Sequence, residues 1–216
     1  MARVVQTKDE IMSMIYLNAP LLKEEVEKLQ VGDIVTITGL LFTCRSQFHI
    51  HFIERGHFPP FDSKKCNVMI HNGPIVERVG EGWKVRAISI TTSIRFNKWE
   101  PETIRRLGLR AIIGKGTVGK ETREALKTCG CVHLCKTGVF SRAYATRVEN
   151  VEGVHWLELG LPEATWILRV KHFGPLIVGA DTRGNSLFDE ISDRVNAKIP
   201  EIYRTLGIAG FTFAEK

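Results

Sequence analysis

Hydrophobic and polar positions along the chain fall into short apolar runs separated by segments of helical periodicity. Ile34 to Thr38 is β-branched throughout and predicts a strand ending at Gly39. Beyond it, Phe48, Phe52 and Ile53 recur at helical spacing, so Arg45 and His49 open a helix of about three turns that Gly56 closes. Pro59-Pro60 then forces an extended connector. Cys66 to Ile70, Val85 to Thr91, Arg110 to Ile113, Val132 to Leu134, Trp166 to Val170 and Leu176 to Ala180 read as further strands. Helices are expected over Lys23 to Leu29, over Thr103 to Leu107 behind Pro101, over Glu121 to Thr128 and over Ser141 to Val148. Gly108 and Gly130 stand where the second and third should stop.

The ends of the chain differ from its middle. Residues 1–16 predict an N-terminal extension with a short docked helix around Ile11 to Ile15. Residues 17–189 carry the repeated strand, loop and helix order of an α/β domain. Residues 190–216 predict a C-terminal helical extension, broken at Pro200.

In α/β folds, ligands sit beyond the C-terminal ends of the strands. The predicted strand exits collect a distinctive set of residues. Arg45 follows the first. The turn His71-Asn72-Gly73-Pro74, whose amides can contact an anion, follows the second. Thr91, Thr92 and Ser93 with Arg95 follow the third, and Lys115 stands between Gly114 and Gly116 at the fourth. Hydroxyls, a guanidinium fork and an ammonium suit a small polyanion, and arginine suits a carboxylate in particular. Glycines allow close approach to the backbone.

Composition narrows the classes. The chain has 216 residues, 44% hydrophobic and 25% charged, enough for a proper core. Its net charge of +6 comes from basic residues spread along the chain, which favours an anionic substrate over nucleic acid. No apolar stretch is long enough to cross a bilayer, and the N-terminus lacks a signal-peptide core, so a cytoplasmic protein is expected. Five cysteines argue against a disulfide framework. Cys129, Cys131 and Cys135 lack the spacings of common zinc and iron–sulfur sites, and alternation puts them with His133 on one face of a buried strand. They read as core packing rather than metal ligands.

Taken in order, Gly-Leu-Leu-Phe-Thr-Cys-Arg at 39–45 with His49, His-Asn-Gly-Pro-Ile-Val at 71–76, Thr-Thr-Ser-Ile-Arg at 91–95 and Gly-Lys-Gly at 114–116 resemble the β subunit of iron–sulfur hydro-lyases. These are the class I fumarases and L(+)-tartrate dehydratases. Segments 154–163 and 173–178 agree, so the resemblance spans residues 17 to 189. It implies a swivelling β/β/α domain, a cytoplasmic heteromer of α2β2 type, and a partner α subunit that holds a [4Fe-4S] cluster. One iron of that cluster acts as a Lewis acid on the substrate hydroxyl. By similarity Thr91, Arg95 and Lys115 are catalytic, with Thr91 the base at carbon, and Arg45, Gly73 and Thr92 bind the dicarboxylate. His49 either bonds the substrate or packs its helix.

Departures from the family pattern lie at Ser46, Ile94, Phe96, Thr117-Val118 and Thr137-Gly138-Val139. They leave the charged set intact and bear on the substrate. Thr43-Cys44-Arg45, the 71–76 segment and the 154–163 segment lean toward the tartrate dehydratases. The alternative to catalysis is a swivelling domain that binds an anion or regulates a partner.

Overall fold

In the computed structural model, which describes residues 14–138 and 140–208, the apolar runs become strands buried on both faces. Four of them lie parallel in the order β2 (Ile34–Cys44), β3 (Val68–His71), β6 (Ala111–Gly114) and β7 (Val132–Lys136). Between β3 and β6 in the chain come β4 (Ile75–Val79) and β5 (Gly82–Ala87), which form a separate antiparallel hairpin. The strand β9 (Thr165–Ala180) runs antiparallel to both β2 and β7 and so closes β2, β3, β6, β7 and β9 into a ring. At the edges, β1 (Ile15–Asn18) pairs with β2 and β8 (Val148–His155) with β9.

Alternation sorts the side chains. Val68 and Ile70 of β3 and Ala111 and Ile113 of β6 join one core, with Val35, Val132, Trp166 and Leu176. Met69 and Ile112 face the other way, into a second core with Phe42, Phe48, Phe52, Ile104 and Leu126. Burial of each large apolar side chain contributes about 1.5–3 kcal/mol, so continuous apolar runs are what a two-faced sheet requires.

The second core lies under helices. These are α2 (Ser46–His49), which continues as a π-helical turn over Ile50–Glu54, α3 (Glu100–Leu107) and α4 (Lys120–Cys129). The glycines Gly108 and Gly130 end α3 and α4 with left-handed backbone, as their positions in sequence anticipate. On the opposite side lie α1 (Lys23–Val26), α5 (Ser141–Ala145) and the β4–β5 hairpin, whose Trp83 ring packs edge-on against Trp166 at 5.1 Å.

Several sequence expectations are revised. β2 does not stop at Gly39: the residue has φ of 123° and no side chain, and a Cβ there would collide with the Ala19 carbonyl. The register shifts around it and the strand continues to Cys44. The strand expected over Val85 to Thr91 ends at Ala87, and its pairing is with β4 rather than the main sheet. Strand β8 occupies a stretch with no strand expectation, and the two late strands are one long bent strand, β9. Near the N-terminus Ile15 and Tyr16 belong to a strand, while residues 11–13 of the expected docked helix lie outside the described residues. The last helix, α6 (Leu187–Thr205), passes through Pro200 unbroken and buries none of its residues.

Candidate active site

The parallel register brings the C-terminal ends of four strands to one edge. Cys44 pairs with His71, and Gly114 pairs with Cys135. The residues that follow are Arg45, Asn72-Gly73, Lys115 and Lys136.

Into this edge the chain threads Thr91, Thr92 and Ser93. The amide of Thr91 donates to the His71 carbonyl at 2.6 Å, and the amide of Lys115 donates to the Thr91 carbonyl at 3.2 Å. The Ser93 amide returns to the Lys115 carbonyl at 3.0 Å, and Thr92 bridges Lys115 in parallel sense. Asn72 N–H donates to the Cys44 carbonyl at 3.2 Å. Main-chain bonds thus tie the expected residues at 91, 92 and 115 to one edge, and those at 45 and 73 follow directly from the strand ends beside them. Arg95 follows on a 3-10 turn, Ser93–Phe96.

Side chains complete the arrangement. Arg45 Nε lies 3.4 Å from Glu163 Oε1, and the other oxygen of Glu163 accepts from the Gln47 amide at 2.9 Å. The Arg45 side chain lies along Gly73: a Cβ there would collide with the Pro162 carbonyl and sit 2.8 Å from Arg45 Cδ. Glycine at 73 therefore makes room for the guanidinium. Arg95 and Lys115 are exposed, and among the described residues neither pairs with a carboxylate. An open edge with unneutralised cations attracts a dianion.

His49 is placed differently. It is fully buried, with Nδ1 3.0 Å from Thr103 Oγ1 and Nε2 3.2 Å from Cys44 Sγ, and its ring stacks on Trp99. Burial and the neighbouring His71 hold its pKa well below the ordinary value. Both ring nitrogens are engaged, so of the two sequence readings the packing one fits.

Beneath the edge lies a buried polar cluster. Ser93 Oγ is 3.1 Å from His71 Nδ1 and 2.8 Å from His133 Nε2. It rests on Gly114, where a Cβ would fall inside contact with the hydroxyl and 3.0–3.1 Å from both rings. Burial, then the charge of His71, pushes His133 down to about 3. His133 and Cys135 share a face as alternation predicts, whereas Cys129 belongs to α4. Glu163, Glu100 and His133 are absent from the sequence-based set. Glu100 looks like an ordinary first-turn acid beside Pro101, and no local pattern marks it as buried.

The cysteines do not form a ligand set. Cys44, Cys66, Cys131 and Cys135 are buried, and burial is the main cause that raises each thiol, Cys66 and Cys135 to about 12. Cys44, Cys66 and Cys131 pack into the second core, while Cys135 Sγ faces the Gly116 carbonyl and His133, so the four do not converge on one point. Among the described residues no group of three or more His, Cys, Asp or Glu is disposed to hold a metal ion. Nor is any described helix long and apolar enough to cross a membrane. A cleft of about 920 Å³ between the β4–β5 hairpin, α5 and β8 lies elsewhere, lined by Trp83, Arg86 and Arg142, and includes none of the strand-end residues.

A family model described as Fumarase C-terminus matches residues 2–191. The chain belongs to that family. Its relatives include the L(+)-tartrate dehydratase subunit beta of Escherichia coli K12, 39% identical over 174 residues that cover 81% of this chain and 86% of that protein. A putative L(+)-tartrate dehydratase subunit beta from Methanocaldococcus jannaschii is 39% identical over 193 residues, 88% of this chain and 98% of that one. A putative class I fumarate hydratase from Geobacillus stearothermophilus is 40% identical over 179 residues, but this chain covers only 34% of it. Family membership extends across the strand-end edge and stops within α6.

Proposed function

We propose that this chain is the β subunit of a hydro-lyase that adds or removes water on a C4 dicarboxylate, L-tartrate or the fumarate/L-malate pair. It works against a partner α subunit that carries the [4Fe-4S] cluster, in an assembly of α2β2 type. One observation carries the reading: main-chain bonds join Thr91 to His71 and to Lys115, Arg45 follows the neighbouring strand end at Cys44, Arg95 lies a turn away, and among the described residues Arg95 and Lys115 pair with no carboxylate. The names of the relatives, subunits of tartrate dehydratase and a fumarate hydratase, support the same chemistry. A swivelling domain spanning residues 17–189, with 1–16 and 190–216 as extensions, suits a chain that closes over a partner's face.

The chemistry assigns each residue a task. A proton on carbon beside a carboxylate is weakly acidic until the carboxylate charge is neutralised. Arg45 neutralises one carboxylate, held in place by Glu163 and seated on Gly73. Arg95 and Lys115 neutralise the other and raise the local positive potential, which favours the alkoxide of Thr91. Thr91 Oγ takes the proton from carbon in dehydration and returns it in hydration, and Thr92 hydrogen-bonds a carboxylate.

The test is an anaerobic assay of the chain assembled with its cluster-bearing partner, with fumarate, L-malate and L-tartrate in parallel. One substrate is expected to turn over, and Thr91→Ala is expected to lower kcat at least about 100-fold. Unchanged turnover in Thr91→Ala would remove the base assignment. No turnover from a loaded complex, with dicarboxylate still bound, would leave the anion-binding regulatory domain instead.

A further inference from the structure

Glu100 is fully buried on the first turn of α3, and among the described residues no well-aligned donor reaches either carboxylate oxygen. His71 Nε2 lies 2.8 Å from Glu100 Oε1. A carboxylate buried without a donor is strongly disfavoured, and two lone pairs cannot face each other at that distance. At that distance the buried pair can coexist only if one of the two groups carries a proton.

The rest of the cluster fixes where the other protons are. The Cys135 thiol donates to the Gly116 carbonyl at 3.4 Å, so its sulfur is free to accept from His133 Nδ1–H at 3.5 Å. His133 is neutral, which leaves Nε2 to accept from the Ser93 hydroxyl. Ser93 in turn accepts from His71 Nδ1–H. A single file of donors runs from α3 to the loop at Gly116. The other groups against His71 are His49 of α2, its ring 6.4 Å away, and Phe96 at 4.5 Å.

This file is bound to the edge above it at two points. The His71 carbonyl receives the Thr91 amide, and the Ser93 amide reaches the Lys115 carbonyl. We propose that Glu100 and His71 share one buried proton and, through Ser93, act as positioning residues that hold Thr91 against Lys115. The effect on turnover rests on the hydro-lyase reading; the shared proton does not.

The experiment compares the ¹⁵N-labelled full chain with its Glu100→Gln and Ser93→Ala variants by NMR. The wild type should show a slowly exchanging, downfield proton that couples to the His71 ring. Glu100→Gln should abolish it and shift the Thr91 and Lys115 amides. Ser93→Ala, which spares the pair, should keep the downfield proton and shift the same amides. Absence of that proton from the wild type, or unmoved Thr91 and Lys115 amides in both variants, would overturn the proposal. In the complex with its partner, Glu100→Gln should lower kcat about 10- to 100-fold with KM nearly unchanged, as a misplaced base does. If the wild-type complex turns over no dicarboxylate, the hydro-lyase reading falls while the spectra still decide the shared proton.

Discussion

Gly114→Ala adds one methyl group at the most crowded point beneath the strand ends. The new Cβ would fall on Ser93 Oγ and lie 3.0 Å from His133 Nε2 and 3.1 Å from His71 Nδ1. The two rings are fully buried and cannot retreat, so the Ser93 hydroxyl must turn away. That loses two hydrogen bonds of about 0.5–1.5 kcal/mol net each and leaves ring nitrogens unpaired at about 1–3 kcal/mol each. Allowing for partial relaxation, the expected destabilisation is about 3–5 kcal/mol, a large share of a domain's total of about 5–15 kcal/mol. With a urea m-value of about 2 kcal/mol/M, the unfolding midpoint should fall by about 2 M. A double-mutant cycle isolates the cause. Ser93→Ala removes the colliding hydroxyl, so it should cost much less in the Gly114→Ala background than alone, with a coupling of at least about 1.5 kcal/mol. A midpoint that falls by less than about 0.5 M, or additive effects of the two substitutions, would refute the reasoning.

Further outcomes follow from burial and titration. Cys129, the half-buried cysteine, should be the first to react with a thiol reagent at pH 8, with Cys44, Cys66, Cys131 and Cys135 labelled only on unfolding; mass spectrometry of the labelled peptides checks the order. Stability should fall on acidification. His133 binds its proton near the ordinary value of 6.5 when unfolded but only at about 3 when folded, so the unfolded state takes up more protons throughout that window. From pH 6.5 to 5 this group alone removes about 2 kcal/mol, with His49 acting in the same direction, and equal urea midpoints at pH 7 and pH 5 would contradict it. Truncation after Glu190 should change the unfolding free energy by less than about 0.5 kcal/mol, since α6 buries no residue, while the contact of Asp189 with Arg123 at 3.3 Å is kept.

The sequence by itself determined the α/β class, the helices α3 and α4 with their glycine stops, the apolar parallel strands and the set of cations and hydroxyls at strand exits. These are local matters: period, caps and turn chemistry act within a few residues, and the motif order from Gly39 to Gly116 is written in the chain. Tertiary structure alone decided what distance along the chain conceals. Whether Val85 to Thr91 is one strand depended on where β5 found its partner, and it found β4. The break expected at Pro200 does not occur, and α6 continues through it. Burial decided the rest. His49, which the sequence leaves between a substrate contact and helix packing, is buried with its ring stacked on Trp99 and Nδ1 beside Thr103. Glu100 looks like a surface acid and becomes the partner of His71 because α3 lies over the end of β3. A side chain's type is fixed by sequence, but its charge state and role follow from which remote groups exclude water around it.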